Sequence, residues 1–217
     1  MLRWDLDTAP TRAAHELIWR RFAEGEADVL IGTQVLTKGL DMPLVTLVGV
    51  VLADVGLGLP DFRAAERTFQ LLIQVAGRAG RGLFGGCVIL QTYRPDHPAI
   101  AAAARYDLDG FYRRELAFRK AHGYPPFARL VRLLYWHADP HKAQQAAAVL
   151  ADALREHLAR KGAPAAALIG PAPCYFSRLR GLYRWHILLR GPDPIAWLQD
   201  FPLPPDWRVD VDPQDVL

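Results

Sequence analysis

The chain has 217 residues, of which 51% are apolar and 23% charged, with a formal net charge of +3. That length allows one large domain or two small ones, and that apolar content excludes a wholly disordered chain. No apolar run approaches the ~20 residues that cross a bilayer, and the amino end lacks the apolar core of a signal peptide, so the expectation is a cytoplasmic protein with no membrane contact.

The charge is uneven: residues 1–98 carry net −1 and residues 99–217 carry net +4. An anionic partner is therefore expected on the second half. Cys87 and Cys174 show no CxxC spacing, cannot assemble a structural zinc site alone, and read as reduced, buried thiols. The histidines show no ligand spacing, and no metal is assigned.

In chain order, residues 11–24 predict a helix: Pro10 precedes it, Ala14, Leu17, Ile18 and Phe22 form an apolar stripe, and Gly25 ends it. Residues 28–31 predict a short buried strand, followed by a polar loop over 32–41. Residues 45–53 are almost continuously apolar, the pattern of a central parallel strand covered on both faces. A second helix is predicted over 62–76, with Ala65, Phe69, Leu72, Ile73 and Ala76 on one face, and a third strand over 85–91. Strands alternating with helices indicate an α/β layer on a parallel sheet. Residues 97–121 read as helical up to the break at Gly123-Tyr124-Pro125-Pro126. The remainder reads β-α-β-β-α-β. Strands are expected at 128–135, 165–169, 175–179, 183–190 and 207–211, a helix capped by Asp139 at 140–161, and a short helix at 194–200. That order is the split βαβ, ferredoxin-like arrangement. Trp4, Trp19, Trp136 and Trp207 read as packing residues, and Asp210 and Asp212 as turn or strand-end residues.

Three segments carry chemistry. The first is QVAGRAGR at 74–81. Gln74, Arg78 and Arg81 are spaced i, i+4, i+7, so a continuing helix places an amide and two guanidiniums on one face, opposite the apolar stripe. Guanidiniums converging on one point suit a transferring phosphoryl group. The second is GTQVLTKGLD at 32–41, leaving the end of a strand, where α/β sheets bind ligands. Thr33 and Gln34 can donate to phosphate oxygens, Asp41 can accept from ribose hydroxyls, and Gly39 relieves crowding. The third is SRLRGLYRWH at 177–186. Alternation puts Arg184 and His186 on one face of a strand and Tyr183 and Trp185 on the other. Arg178, Arg180 and Arg184 are candidates for DNA phosphate contacts, while the aromatic pair is either core or a base-stacking surface.

The second segment, the strand after it and DFRAAERTFQLLIQVAGRAGR at 61–81 together resemble motifs V and VI of superfamily 2 DNA helicases, and more narrowly the PriA-type replication-restart helicases. DLDT at 5–8, LQTYRPDHP at 90–98, GYPPF at 123–127 and DVDP at 210–213 fit the same family, and the block from Asp61 to Arg67 is its most specific piece. The resemblance covers essentially the whole chain. It implies a partial RecA-like second lobe (parallel sheet with helices) over 1–105, a helical connector over 106–123, and a small α+β carboxy-terminal DNA-binding domain over 124–217. It implies that Gly39 and Asp41 lie near the nucleotide, that Thr33, Gln34 and Lys38 lie near DNA, and that Gln74, Arg78 and Arg81 face ATP bound with Mg²⁺ on a first lobe.

This chain has no GxxxxGK[ST] phosphate loop and no DEAH-type acidic box, and it lacks the cysteine-rich insert that binds zinc in the family. Alone it is expected not to hydrolyse ATP. Two readings follow. One is the carboxy-terminal part of an ATP-dependent 3′-to-5′ DNA helicase that recognises stalled or branched replication forks and restarts replication through primosome assembly. The other is a fork-DNA and partner-binding scaffold whose parent lacks motor activity. A RecG-like translocase shares the motif VI pattern but not the Asp61–Arg67 block or the DVDP ending. The implied partners are branched and single-stranded DNA, single-stranded-DNA-binding protein and primosome proteins, met by a monomer.

Overall fold

A computed structural model describes residues 1–33, 45–77, 79 and 86–217. The chain divides into two compact units. One comprises Met1–Val55 with Glu66–Asp107, and the other Gly56–Ala65 with Leu108–Leu217.

The first unit contains two parallel strand pairs. β1 (Leu2–Trp4) runs beside β2 (Leu30–Gly32) with α1 (Arg12–Ala23) between them in sequence. β1 has no counterpart among the predicted elements, because three residues carry too little periodicity to register. The Asp5 carboxylate closes the turn that follows, accepting from the Asp7 and Thr8 amides at 3.1 and 2.9 Å. α1 starts where expected, on Thr11, whose side chain accepts from the Ala14 amide. Its apolar stripe is not buried, and Leu17 and Trp19 are exposed. Trp4 is buried and donates from Nε1 to His15 Nδ1 at 2.6 Å.

β3 (Leu47–Val50) pairs in parallel with β4 (Cys87–Leu90). Asp54 locks their carboxyl ends, accepting from the Thr92 hydroxyl at 2.8 Å and the Tyr93 amide at 3.0 Å. The expectation of a strand covered on both faces is corrected. Leu47 and Ile89, aligned on one face of this two-stranded pair, are 58% and 57% exposed, and Cys87 beside them is exposed rather than buried. α2 (Ala64–Ala76) separates β3 from β4 in sequence and buries Phe69 and Leu72. The helix expected over 97–121 is two helices, α3 (Pro98–Arg105) and α4 (Leu108–His122). Tyr106 separates them in a left-handed conformation at φ 55°, which ends α3.

The second unit is the expected β-α-β-β-α-β fold. β5 (Arg129–His137), α5 (Pro140–Arg160), β6 (Leu168–Leu179), β7 (Leu182–Gly191), α6 (Pro194–Leu198) and β8 (Arg208–Val211) give an antiparallel sheet in the order β6-β7-β5-β8. The strands expected at 165–169 and 175–179 are corrected to one long strand, with residues 165–167 forming a short 3₁₀ turn before it. α5 begins on the Asp139 carboxylate, which accepts from the His141 and Lys142 amides. Its Ala147, Leu150, Ala151, Leu154 and Leu158 form one core with Val131, Leu133, Ile187, Leu189 and Trp207. Burying such a side chain is worth about 1.5–3 kcal/mol.

On the opposite sheet face, the segment from Asp210 to Leu217 packs beside β5. Arg132 donates to the Leu217 carbonyl and pairs with Asp210 and Asp215, while Asp212 pairs with Arg129 at 2.6 Å. Asp210 and Asp212 are thus strand-end partners of β5, as the sequence predicts.

The block at 61–67 begins in this unit. The Phe62 ring stacks on Tyr124 at 4.9 Å and 8°, with the Arg63 and Arg119 guanidiniums 4.1 and 5.0 Å from its centroid. Arg190 lies over Tyr124 at 4.8 Å, and Arg63 donates to the Pro213 carbonyl at 2.8 Å. Removing the half-buried ring abolishes the stack and both cation–π pairs at once. Phe62→Ala is expected to destabilise the second unit by about 2–3 kcal/mol. Urea unfolding followed by tryptophan fluorescence checks this, with Phe62→Tyr retaining most of the stability.

Candidate functional site

The chemistry-bearing residues fall on two surfaces, one in each unit. In the first, α2 anchors Phe69 and Leu72 in the interior and leaves Gln74 exposed, as the sequence pattern requires. The helix ends at Ala76, and the Gly77 amide still bonds the Ile73 carbonyl at 3.0 Å. Arg78 and Arg81 lie outside the described residues. Thr33 follows the carboxyl end of β2 and is exposed, while Gln34, Lys38, Gly39 and Asp41 also lie outside the described residues. Of Gln74, Arg78 and Arg81, only Gln74 lies among the described residues.

Cys87 lies on β4 and Cys174 on β6, and no group of three histidine, cysteine or acidic side chains able to hold a metal occurs among the described residues. Burial pushes the Cys174 thiol up, only partly offset by Arg184 and Arg132, so it is held as an unreactive thiol.

The second surface is the β6–β7 hairpin, which carries Arg178, Arg180 and Arg184: Arg178 pairs with Tyr183 on one face, Arg180 sits in the turn and Arg184 lies on the opposite face. Leu179 pairs with Leu182, leaving Arg180 and Gly181 as a two-residue turn with φ of 50° and 84°. Both angles are positive, the requirement of a type I′ turn, which glycine meets without strain. Arg178 lies over the Tyr183 ring at 5.3 Å, and Arg184 reaches the Phe176 carbonyl at 3.5 Å. Among the described residues no carboxylate lies within ion-pairing distance of these three arginines. Arg178 and Arg180 are exposed and Arg184 is half-buried.

The expected alternation holds. Trp185 and Tyr183 share the face of the α5 core, where Trp185 packs, and Arg184 shares the other with His186. The aromatics in the open are Tyr175, Phe176 and Trp136, the last corrected from a packing residue to an exposed one. Sequence reasoning missed Tyr175 and Phe176. The available signal was their position in a stretch, 157–192, that holds no aspartate or glutamate at all.

His186 completes this face. Burial and the neighbouring Arg132 and Arg184 guanidiniums push its imidazole from 6.5 down to about 4, and its Nδ1 has no hydrogen-bond partner among the described residues. The unfolded chain takes up a proton at this histidine below about pH 6.5, whereas the folded chain does not until about pH 4. Folding stability from this group is therefore intact above pH 6.5 and lost progressively as pH falls towards 4. Thermal melts across that window are expected to show a shallower loss of Tm for His186→Gln than for the parent chain.

Comparison with known proteins supplies the context for both surfaces. The family described as "Helicase conserved C-terminal domain" matches residues 7–82, and the family described as "Primosomal protein N C-terminal domain" matches residues 120–214. The chain is 43% identical to Replication restart protein PriA of Treponema pallidum (strain Nichols), over 98% of this chain and 33% of that protein. It is 42% identical to Replication restart protein PriA of Bacillus subtilis (strain 168), over 88% of this chain and 23% of that protein. Replication restart protein PriA of Synechocystis sp. (strain ATCC 27184 / PCC 6803 / Kazusa) is 43% identical over 88% of this chain and 22% of its own length. The chain thus spans 22% to 33% of the length of these relatives.

Proposed function

Because the chain belongs to the PriA family of replication restart proteins, we propose that it is the carboxy-terminal part of an ATP-dependent 3′-to-5′ DNA helicase that recognises branched replication forks and restarts replication. The observation that carries this reading is helix α2. One face is buried through Phe69 and Leu72, and the other presents Gln74 to solvent immediately ahead of Gly77-Arg78-Ala79-Gly80-Arg81.

In this reading Arg78 and Arg81 place positive charge against a transferring phosphoryl group, and Gln74 adds an amide to the same cluster. Gly39 and Asp41 lie by the nucleotide, and Thr33, Gln34 and Lys38 follow the DNA backbone. ATP with Mg²⁺, held mainly by a first lobe, supplies the phosphoryl group. The arginines of the β6–β7 hairpin hold fork-DNA phosphates. Single-stranded-DNA-binding protein and primosome proteins are the partners, met by a monomer in the cytoplasm. Among the described residues no helix is long and apolar enough to cross a membrane.

The test uses the full-length parent protein. An arginine finger is worth roughly 10³–10⁵ in rate, so Arg81→Ala is expected to abolish DNA-stimulated ATP hydrolysis. A rate within about threefold of the parent removes the finger assignment and leaves the scaffold reading. The hairpin is tested separately. Arg180→Ala with Arg184→Ala is expected to weaken fork-DNA binding and to make log K less steep in log salt, by about 0.7–0.9 for each phosphate no longer neutralised. Unchanged affinity and slope would leave the hairpin as ordinary surface.

A further inference from the structure

β6 is an edge strand, and its pairing with β7 is irregular. Pro173 stands opposite Trp185 and Arg178 opposite Tyr183, so residues 174–177 of β6 face Arg184 alone. Such a bulge re-aims side chains. Tyr175 and Phe176 within it are 52% and 57% exposed, with their rings edge to face at 5.1 Å. Two large rings side by side in water are a cost that a binding function explains and a packing function does not. Trp136 adds a third ring, 39% exposed and directly across from Arg184 in the β5–β7 register.

The surroundings select the occupant. Arg178, Arg180 and Arg184 stand on the same hairpin, and residues 157–192 contribute no carboxylate to it. A purely apolar protein surface would meet unneutralised guanidiniums here, and a cationic one would be repelled. A duplex would offer its phosphates but keep its base faces already stacked. Only a strand with unpaired bases offers both anions for the arginines and flat π-faces for the rings.

We propose that Tyr175 and Phe176 are a stacking platform for unpaired bases of single-stranded DNA, with Arg178, Arg180 and Arg184 holding the phosphates on either side. This rests on the reading of the hairpin as a DNA contact and adds the form of DNA it takes. The rings give affinity without sequence preference, since every base has a face to stack.

The experiment is fluorescence anisotropy of the 217-residue chain with a labelled oligothymidylate of about 20 nucleotides and with a blunt duplex of about the same length, each over a range of salt. Tyr175→Ala with Phe176→Ala is expected to weaken oligothymidylate binding at least about fivefold, leave its salt slope unchanged, and leave duplex binding within about twofold. Tyr175→Phe with Phe176→Tyr is expected to keep parental affinity, since both stacking faces are retained. Oligothymidylate affinity within about twofold of the parent for the alanine pair overturns the proposal and leaves the rings to a protein partner. An equal loss on duplex overturns it as well. Arg180→Ala with Arg184→Ala separates the two ideas. If it weakens both DNAs and lowers the slope while the alanine pair does nothing, the phosphate contact stands and the stacking falls. If it changes neither DNA, the phosphate contact falls too.

Discussion

The second unit depends on β5 lying inside the sheet with both faces covered. Alternate residues Val131 and Leu133 enter the α5 core, while Leu130, Arg132 and Leu134 are buried on the other side, where the segment from Asp210 to Leu217 bonds Leu130 and Arg132. A strand covered twice must satisfy any polar group it carries. Arg132 is the test case: its guanidinium is stripped of most water, and its terminal nitrogens are answered by Asp210, Asp215 and the Leu217 carbonyl, while its Nε has no partner among the described residues. Breaking one partner of such a buried charge costs more than the pair contributes when intact. The DVDP ending is therefore bound to β5 by charge, and the order β7-β5-β8 has little freedom to change.

The same sheet order decides where function is presented. β5 and β7 are interior and β6 is an edge. The interior strands use their alternation for packing, with Trp185 inside and Arg132 neutralised. The edge strand does not have to. Its irregular stretch turns adjacent side chains outward, and the type I′ turn beyond it carries Arg180, with no carboxylate in ion-pairing distance among the described residues. The suppressed basicity of His186 comes first from its burial beside this surface, and the Arg132 and Arg184 guanidiniums add to it.

Legibility follows periodicity. The β-α-β-β-α-β order is readable because the apolar strand runs are separated by glycine and proline breaks and α5 is capped by Asp139 and Pro140. β6 reads as two pieces because Gly170 and Pro171 look like a break. A continuous strand whose register slips leaves no local mark in the sequence. The helix break at Tyr106 is equally silent, since a tyrosine at positive φ is not a recognised stop. In the first unit, α1, α2 and the position of Gln74 are legible from their stripes, whereas the apolar run overstates the burial of β3: a run of valines specifies a strand, not how many neighbours cover it. For the hairpin, the arginines are found because charge is visible in a sequence. Tyr175 and Phe176 escape notice because their exposure depends on the bulge.

Phe62 and Arg63 belong, by their contacts, with a unit whose other residues begin at Leu108. The second unit is therefore discontinuous along the chain. A truncation starting at Leu108 would preserve every strand and both helices of the split βαβ fold, yet strip Tyr124 of its stacked neighbour and leave Pro213 without its donor. The block that starts at Asp61, distant from Leu108 along the chain, thus contributes Phe62 and Arg63 to the same unit as Tyr124 and Pro213. Excision at Leu108 would therefore yield a second unit without the ring and the guanidinium that this distant segment lends it.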